Sequence, residues 1–261
     1  MASLNLLQLY PQSEFPHELE APAPISARIP PLHPRISCIQ EAPLFRGLSR
    51  TDCAEVASLA QEKRFTKGQT IFREGDPSRL VMVLIAGQVK MSQLSRLGSE
   101  VIFRVEETGG LLGGLPLSND RRYRLTAQCL GQCQVLAWDA LKFSALEERM
   151  PIVRRNAIVI LTERLRSLED RFVELATERV APRLAKMLVR LLEQGWRNKQ
   201  GIYRIDLSHE ELAQMVGTTL FTVSRLFSDW EEQGLVRSQR KAVLLLNPVA
   251  LAALAEAGNG R

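Results

Sequence analysis

The sequence predicts an α+β protein in which a long helix joins two folded domains. Three observations lead to this prediction. Residues 37–145 contain many short apolar runs separated by glycine-containing turns, which is typical of a β-barrel or jelly-roll-like domain. Residues 146–178 carry apolar side chains at helical spacing. Residues 179–250 form a small basic stretch that contains a winged helix-turn-helix pattern.

The two ends of the chain lie outside these domains. Residues 1–36 hold seven of the 13 prolines, so we expect a flexible, extended arm, and residues 251–261 are expected to form a tail. The chain shows no signal-peptide pattern and no apolar run as long as a membrane span. With four cysteines in 261 residues it does not resemble a secreted disulfide scaffold. We therefore expect a cytoplasmic protein that does not contact a membrane.

Residues 37–145 begin with a predicted short helix, from Ser49 to Gln61, with Ser49 or Thr51 as its cap. The predicted strands follow in the segments KGQTIF, LVMVLIAG, QVKMSQL, VIFRVEE, RLTAQCL and CQVLAW. Cys129 and Cys133 flank a predicted turn, Leu-Gly-Gln. They are a possible redox pair if they lie on opposite strands, and otherwise two small, partly buried thiols.

The long helix predicted over 146–178 has one narrow apolar seam. Its members recur at spacings of three and four residues, and charged residues lie between them. The seam consists of Ile158, Leu161, Leu165, Leu168, Phe172 and Leu175. A narrow seam favours pairing with a second helix, so we predict a homodimer through these residues; packing on the helix's own domain is the alternative.

The basic stretch ends in a predicted helix, tight turn, helix and β-hairpin. Between Arg179 and Asn247 there are 11 lysines and arginines and seven acidic residues. Ser208 and Glu211 have capping-box spacing, and Gly217 suits the turn between the helices. The second helix is predicted from Thr219 to Trp230, with its buried stripe at Leu220, Val223, Leu226, Phe227 and Trp230.

The opposite face of that second helix carries the residues expected to contact DNA. An arginine can donate two hydrogen bonds to the O6 and N7 atoms of guanine, and an aromatic ring can pack on a thymine methyl group. Serine and threonine hydroxyls can bond phosphates or base edges, and basic residues at the tip of a wing can lie beside the backbone. The predicted DNA-binding residues are Ser208, Thr219, Phe221, Thr222, Ser224, Arg225, Ser228, Arg240 and Lys241.

Two other function classes are weighed against a DNA-binding regulator. A ligand- or redox-sensing module acting through protein partners would not need the polar face around Ser224 and Arg225 or the basic wing. An enzyme is not expected, because the sequence shows no nucleophile–base pattern, phosphate-binding loop or metal-ligand spacing.

With these residues in view, the chain resembles the CRP/FNR superfamily of transcription regulators over residues 40–250. The segments KGQTIFREGD and IAGQVK are similar to the family's cyclic-nucleotide-binding-type β-roll, and LAQMVGTTLFTVSRLF is similar to its helix-turn-helix. Ser224 and Arg225 match the serine–arginine pair of the FNR-like branch, whereas Phe221 replaces the acidic residue usual there. The resemblance implies a dimer on a two-fold symmetric operator, with RNA polymerase as a partner. Phe221 puts the branch's TTGA-type half-site in doubt at one base pair.

The same resemblance indicates which cofactors to expect, and we predict that this protein binds no cofactor. Members that bind cyclic AMP carry a glutamate for the ribose, where this chain has Gly110, and an arginine–serine pair for the phosphate, where it has Arg124 and Leu125. Leu168 and Glu169 lie near the place of the family's adenine-binding threonine and serine. Cyclic AMP is therefore not expected.

The resemblance also bears on two metal-containing cofactors. Iron–sulfur members have clustered N-terminal cysteines, whereas here only Cys38 precedes the β-roll and Cys53, Cys129 and Cys133 are scattered. Haem-binding members often use a histidine in the sensor domain, whereas the three histidines here are His17, His33 and His209. Haem held by His17 or His33 of the arm stays open as an alternative.

Overall fold

The computed structural model describes residues 32–113, 122–194 and 203–257. Most of the predicted arm, including His17, lies outside these ranges. Helix α1, Leu32–Glu41, begins inside the range assigned to the arm, which therefore ends earlier than residue 36. Pro34 lies in the first turn of α1, where a missing backbone N–H removes no helical hydrogen bond.

Residues 61–139 form the predicted β-roll, built from two four-stranded antiparallel sheets with the orders β1-β8-β3-β6 and β2-β7-β4-β5. The strands are β1 Gln61–Phe65, β2 Thr70–Phe72, β3 Leu80–Ala86, β4 Val89–Leu94, β5 Glu100–Glu106, β6 Leu111–Leu112, β7 Thr126–Cys129 and β8 Cys133–Asp139. Strand β3 is apolar throughout, because both of its faces are covered. The predicted fold class is confirmed.

Short helical elements close one end of the roll. A 3-10 turn, Pro43–Phe45, is followed by helix α2, Arg50–Leu59, whose N-terminus has the predicted cap at Ser49. The Ser49 hydroxyl accepts from the N–H of Asp52, whose carboxylate accepts from Ser49 in return. The indole N–H of Trp138 on β8 donates to the carbonyl of Val56 at 2.8 Å, which fixes α2 on the sheet.

The long helix α4 spans Pro151–Thr177, so its predicted start at 146 is wrong. The preceding residues form a separate helix, α3, Ala140–Arg149, which Asp139 caps. The break lies at Met150, whose φ of −124° and ψ of 75° are not helical, because the ring of the following proline disfavours helical backbone there. Pro151 is tolerated at the first position of α4. No helix in the described ranges is long and apolar enough to cross a membrane.

The last domain consists of α5 Val180–Glu193, β9 Arg204–Ile205, α6 His209–Val216, α7 Leu220–Glu232, β10 Val236–Gln239, β11 Ala242–Leu245 and α8 Pro248–Glu256. The predicted tail from 251 is therefore wrong up to Glu256. The Asn247 side chain accepts from the N–H of Ala250 and caps α8. Leu251 and Ala255 are buried in the core of this domain, which explains why the segment is ordered as a helix.

The β-roll and the last domain are in direct contact. Ile102 and Val105 on β5 belong to the same buried cluster as Leu212 and Met215 of α6. Arg171 of α4 joins the two, because its guanidinium donates to the carbonyl of Phe103 and, at 2.6 Å, to that of Met215. Burial, with the nearby charge of Arg190, lowers the pKa of Arg171 to about 10.

Candidate nucleic-acid interface

Helices α6 and α7 form the predicted helix-turn-helix, and local sequence determines both of its ends. The Ser208 hydroxyl accepts from the N–H of Glu211, and the Glu211 carboxylate accepts from the N–H of Ser208. Gly217 ends α6 with a φ of 65°, a left-handed conformation that glycine adopts without strain. The Thr219 hydroxyl caps α7 by accepting from the N–H of Thr222.

The buried stripe of α7 is formed by Val223, Phe227 and Trp230, as predicted, and Leu226 is half-buried. Leu220, also predicted to be buried, is 44 % exposed. It is the first residue of the helix, and the turn through Gly217 and Thr218 does not cover it. Burial therefore begins one helical turn later than the pattern predicts.

The outward face of α7 presents a ring, a guanidinium and hydroxyls to solvent. Phe221 is 85 % exposed, and Arg225 and Ser228 are also exposed. Within the described ranges, Arg225 has no hydrogen bond or ion pair, so its five N–H groups are available to a ligand. Thr222 and Ser224 are half-buried at the edges of this face. The arrangement suits insertion into a groove lined with acceptors.

The structure also brings a residue to this interface that sequence reasoning left out. His209 begins α6, and its ring lies against that of Phe227, with 4.7 Å between centroids. Its Nδ1 atom is 3.1 Å from the Ser224 hydroxyl, and its Nε2 atom is 3.1 Å from the Ser238 hydroxyl of β10. The imidazole therefore joins three elements of the interface.

Strands β10 and β11 form the predicted wing. Arg240 and Lys241 are the two residues of its turn, and both are exposed. The backbone N–H of Ser238 donates to the Glu231 carboxylate, which ties the wing to the end of α7. The predicted contacts of Ser208 are restricted, because its hydroxyl both accepts from and donates to Glu211 inside the cap.

A cavity of about 320 Å³ lies where the roll, α4 and α5 meet. Its charged lining includes Arg104, Glu106, Arg164 and Arg190. Arg164 donates to the Glu106 carboxylate at 2.6 Å, and burial lowers its pKa despite that partner. The Glu106 carboxylate also accepts from Arg104, and Arg190 pairs with Glu174, so three of the lining arginines have a carboxylate partner within the protein.

The residues compared with a cyclic AMP site do not converge on such a ligand. Gly110 lines the cavity, but a Cβ atom there would lie 2.7 Å from the Glu106 carboxylate and 2.8 Å from the carbonyl of Glu107. Arg124 is exposed on the outside of the roll. Leu168 lines the cavity, whereas Glu169 is exposed.

Cys129 and Cys133 are both buried, at the end of β7 and the start of β8. Their thiols share a hydrogen bond, which lowers the pKa of Cys133 to about 7 and raises that of Cys129. Both are free thiols, as are Cys38 and Cys53. No group of three or more potential metal-ligating side chains occurs among the residues that the structure describes.

Both folded domains are similar to families of known proteins. The family described as the cyclic nucleotide-binding domain matches residues 62–149, and the Crp-like helix-turn-helix domain matches residues 182–254. A global nitrogen regulator from Synechococcus elongatus is 31% identical over 197 residues, which cover 73% of this chain and 88% of that protein.

Two further relatives cover most of the chain. A CRP-like cAMP-activated global transcriptional regulator from Mycobacterium tuberculosis is 25% identical over 216 residues, covering 82% of this chain and 96% of the relative. The solved structure of FixK2 from Bradyrhizobium japonicum has a TM-score of 0.64 at 25% identity and covers 75% of this chain and 96% of its own.

Proposed function

Since the chain belongs to the CRP/FNR superfamily of transcription regulators, we propose that α7 lies in the major groove and that Arg225, Ser224 and Phe221 contact base edges. The protein is a DNA-binding transcription regulator, which confirms the function predicted from the sequence. What is proposed here is how it docks on DNA and which side chains select the sequence.

The unpaired, exposed guanidinium of Arg225 carries this proposal. It lies on the same face of α7 as Phe221 and Ser228, opposite the buried Phe227. Its planar fork matches the two acceptors of guanine, O6 and N7, better than any other base edge. The exposed ring of Phe221 can pack on a thymine methyl group, where an acidic side chain would accept from cytosine.

The remaining contacts are proposed to go to the DNA backbone. Thr219 and Thr222, whose hydroxyls lie 3.0 Å apart, would bond phosphates at the start of α7, and Ser208 and Ser228 would flank them. Arg240 and Lys241 would lie beside the backbone at the wing tip. Pairing of two α4 helices would place two recognition helices about one helical turn apart on a two-fold symmetric site. RNA polymerase is the proposed protein partner, and the cytoplasm the proposed location.

Binding-site selection with wild type, Arg225→Ala and Arg50→Ala tests the docking. We expect wild type to select a two-fold symmetric site with one guanine in each half that Arg225→Ala no longer selects, at a cost of about 1–3 kcal/mol per half-site. Arg50 is exposed at the start of α2, outside the helix-turn-helix and the wing, so Arg50→Ala should select the wild-type site. Identical selection by wild type and Arg225→Ala would show that Arg225 does not contact a base.

For the sensor we propose that cyclic AMP is not the effector. The chain has Gly110 and Leu125 in place of the residues expected for the ribose and phosphate, and the space beside Gly110 is filled by Glu106. Titration calorimetry with cyclic AMP should give no binding heat at ligand concentrations of about 1–10 μM, where a tight site would be occupied. A micromolar dissociation constant would contradict this proposal.

A further inference from the structure

Cys129 and Cys133 lie on either side of one residue of the β-roll, Gln88, which connects β3 to β4. The thiol of Cys133 donates to the backbone carbonyl of Gln88 at 3.2 Å. The backbone N–H of Leu130, the residue after Cys129, donates to the same carbonyl at 2.9 Å. Strand pairing places Cys129 opposite Val89, the residue after Gln88. The two cysteines therefore meet at one point, although they belong to different sheets.

The surroundings leave room for the Cys133 sulfur and cover both thiols with one surface turn. Gly87, the residue before Gln88, has a φ of 94°, and a Cβ atom there would lie 2.8 Å from the Cys133 sulfur. Both thiols are buried, but Gln132 in the turn between them is exposed. A Cβ atom added to Gly131 would have no atom of the described residues within 4 Å. A turn of three residues at the surface admits a small oxidant more readily than a bulky disulfide.

Cys133 is the more reactive thiol of the pair. The neighbouring thiol of Cys129 lowers the pKa of Cys133 to about 7, although burial opposes that effect. Near neutral pH a large share of Cys133 is therefore thiolate, the form that attacks oxidants. Burial instead raises the pKa of Cys38 and of Cys53, which keeps these two thiols protonated.

We propose that Cys129 and Cys133 form a redox site that hydrogen peroxide converts from a dithiol to a disulfide. The Cys133 thiolate attacks one peroxide oxygen, the O–O bond breaks, hydroxide leaves, and the sulfur becomes a sulfenic acid. The Cys129 sulfur then attacks the Cys133 sulfur and the S–O bond breaks, so that the Cys129 hydrogen and the hydroxyl group leave as water. The dithiol loses two electrons, and the peroxide gains them.

The disulfide acts on the contact between the β-roll and the DNA-binding domain. Leu130, which lies between the two cysteines, packs against the buried cluster that β5 shares with Leu212 of α6. Joining the sulfurs removes the thiol hydrogen from the Gln88 carbonyl and draws the ends of the turn together, so Leu130 is displaced. Lys90, two residues after Gln88, lies 4.0 Å from Glu211, which caps α6. Oxidation thus loosens α6 and weakens binding to the operator.

Thiol trapping tests the disulfide without DNA. The reduced protein is treated with hydrogen peroxide below the concentrations that oxidise methionine, and then denatured, labelled with N-ethylmaleimide and digested with trypsin. The peptide 125–142 contains Cys129, Cys133 and no other cysteine. It should become lighter by two hydrogens and carry no maleimide, and dithiothreitol should restore both labelled thiols. Cys53→Ser is the matched control and should form the same disulfide. If wild type keeps both labels, the two cysteines serve only in packing and the inference is wrong.

The effect on the DNA-binding domain is measured by hydrogen exchange of α6 and by titration of the selected operator. Oxidised wild type should exchange α6 amides faster and bind the operator at least about fivefold more weakly than reduced wild type. Cys129→Ala, treated in the same way, should show neither change, and Cys133→Ser is the second variant if Cys129→Ala folds poorly. Leu130→Ala should form the disulfide but respond less, because the side chain that contacts the shared cluster is shortened.

The outcomes separate this inference from the proposed function, since the redox site does not depend on how α7 docks and only its effect on the operator does. If the disulfide forms while α6 exchange and operator binding stay as in the reduced protein, the coupling is wrong. If Cys129→Ala weakens as much as wild type, peroxide acts elsewhere and the coupling is also wrong. If reduced wild type selects no operator, the proposed docking fails, while thiol trapping and α6 exchange still decide the redox site.

Discussion

At the scale of single residues, the buried imidazole of His209 makes stability depend on pH. Burial lowers the pKa of His209 below its ordinary value of 6.5 in the folded protein. As the pH falls, the unfolded chain therefore binds a proton before the folded one does. The stability associated with the neutral ring is complete above the unfolded pKa and is lost as the pH falls toward the folded pKa.

We predict that the free energy of unfolding decreases more steeply between pH 8 and pH 5 for wild type than for His209→Phe, which has no titrating ring. Urea unfolding at a series of pH values measures both slopes. The two proteins share every other acidic and histidine side chain, so the difference between the slopes reports on His209. Parallel curves would mean that the ring titrates in the folded protein as it does in the unfolded chain.

Which interface residues could be predicted depends on how far apart their partners lie in the sequence. The cap of α6 joins Ser208 to Glu211, three residues away, and was predicted from that spacing. Arg225 was predicted because helical periodicity alone places it opposite Phe227. His209 was missed because its partners are 15 and 29 residues away, and only the packing of α6, α7 and the wing brings them together.

At the scale of elements, the exposed seam of α4 predicts the dimer. All six seam residues are exposed in the single chain, Leu165 by 56 % and Phe172 by 71 %. Such a contiguous apolar stripe on a helix is stabilised by a second copy of the helix. The homodimer is typical of the family, and the assignment of these six residues to its interface is our prediction.

Leu165→Asp should convert the dimer largely to monomer, because it buries two carboxylates in one interface at a cost of several kcal/mol per dimer. Sedimentation equilibrium at micromolar concentration measures the change. Val173→Asp is the matched control, since Val173 is an exposed aliphatic residue of the same helix outside the seam. A monomeric wild type, or equal dissociation of both variants, would contradict the seam assignment.

Three elements differ from the sequence prediction, each for its own reason. Strand β1 is mostly charged, and its pairing with β8 joins residues that are far apart in the sequence, Gln61 with Ala137. Helix α3 was merged with α4, because helical spacing continues across the interruption at Met150. Helix α8 begins with local signals, a cap at Asn247 and a proline at its first position, which indicate a helix where the prediction places a tail.

At the scale of the whole molecule, the sensor and the DNA-binding domain share one buried cluster. β5 contributes Ile102 and Val105, and the first helix of the helix-turn-helix packs on them. Lys90 of β4 also pairs with Glu100 at 3.1 Å and lies 4.0 Å from Glu211, the residue that caps α6. A change in the position of β5 would therefore be transmitted to α6 and to α7, the helix that we propose contacts DNA.

Arg171 makes the hydrogen-bonded part of this domain contact, beside the Lys90–Glu211 ion pair, and its fork matters more than its charge. It donates to one carbonyl on β5 and one at the end of α6, whereas a lysine cannot reach two carbonyls with the geometry of a guanidinium. We predict that Arg171→Lys lowers the protection of α6 amides against hydrogen exchange by about 1.5–3 kcal/mol, the usual value of hydrogen bonds from a charged donor. Hydrogen exchange within the β-roll core, at β3 and β8, should stay near that of wild type.

The matched control is Arg166→Lys, the same substitution at an exposed position of α4, which should leave hydrogen exchange of α6 unchanged. If Arg171→Lys leaves α6 exchange unchanged, apolar packing of β5 on α6 together with the Lys90–Glu211 pair is sufficient to hold the domains together.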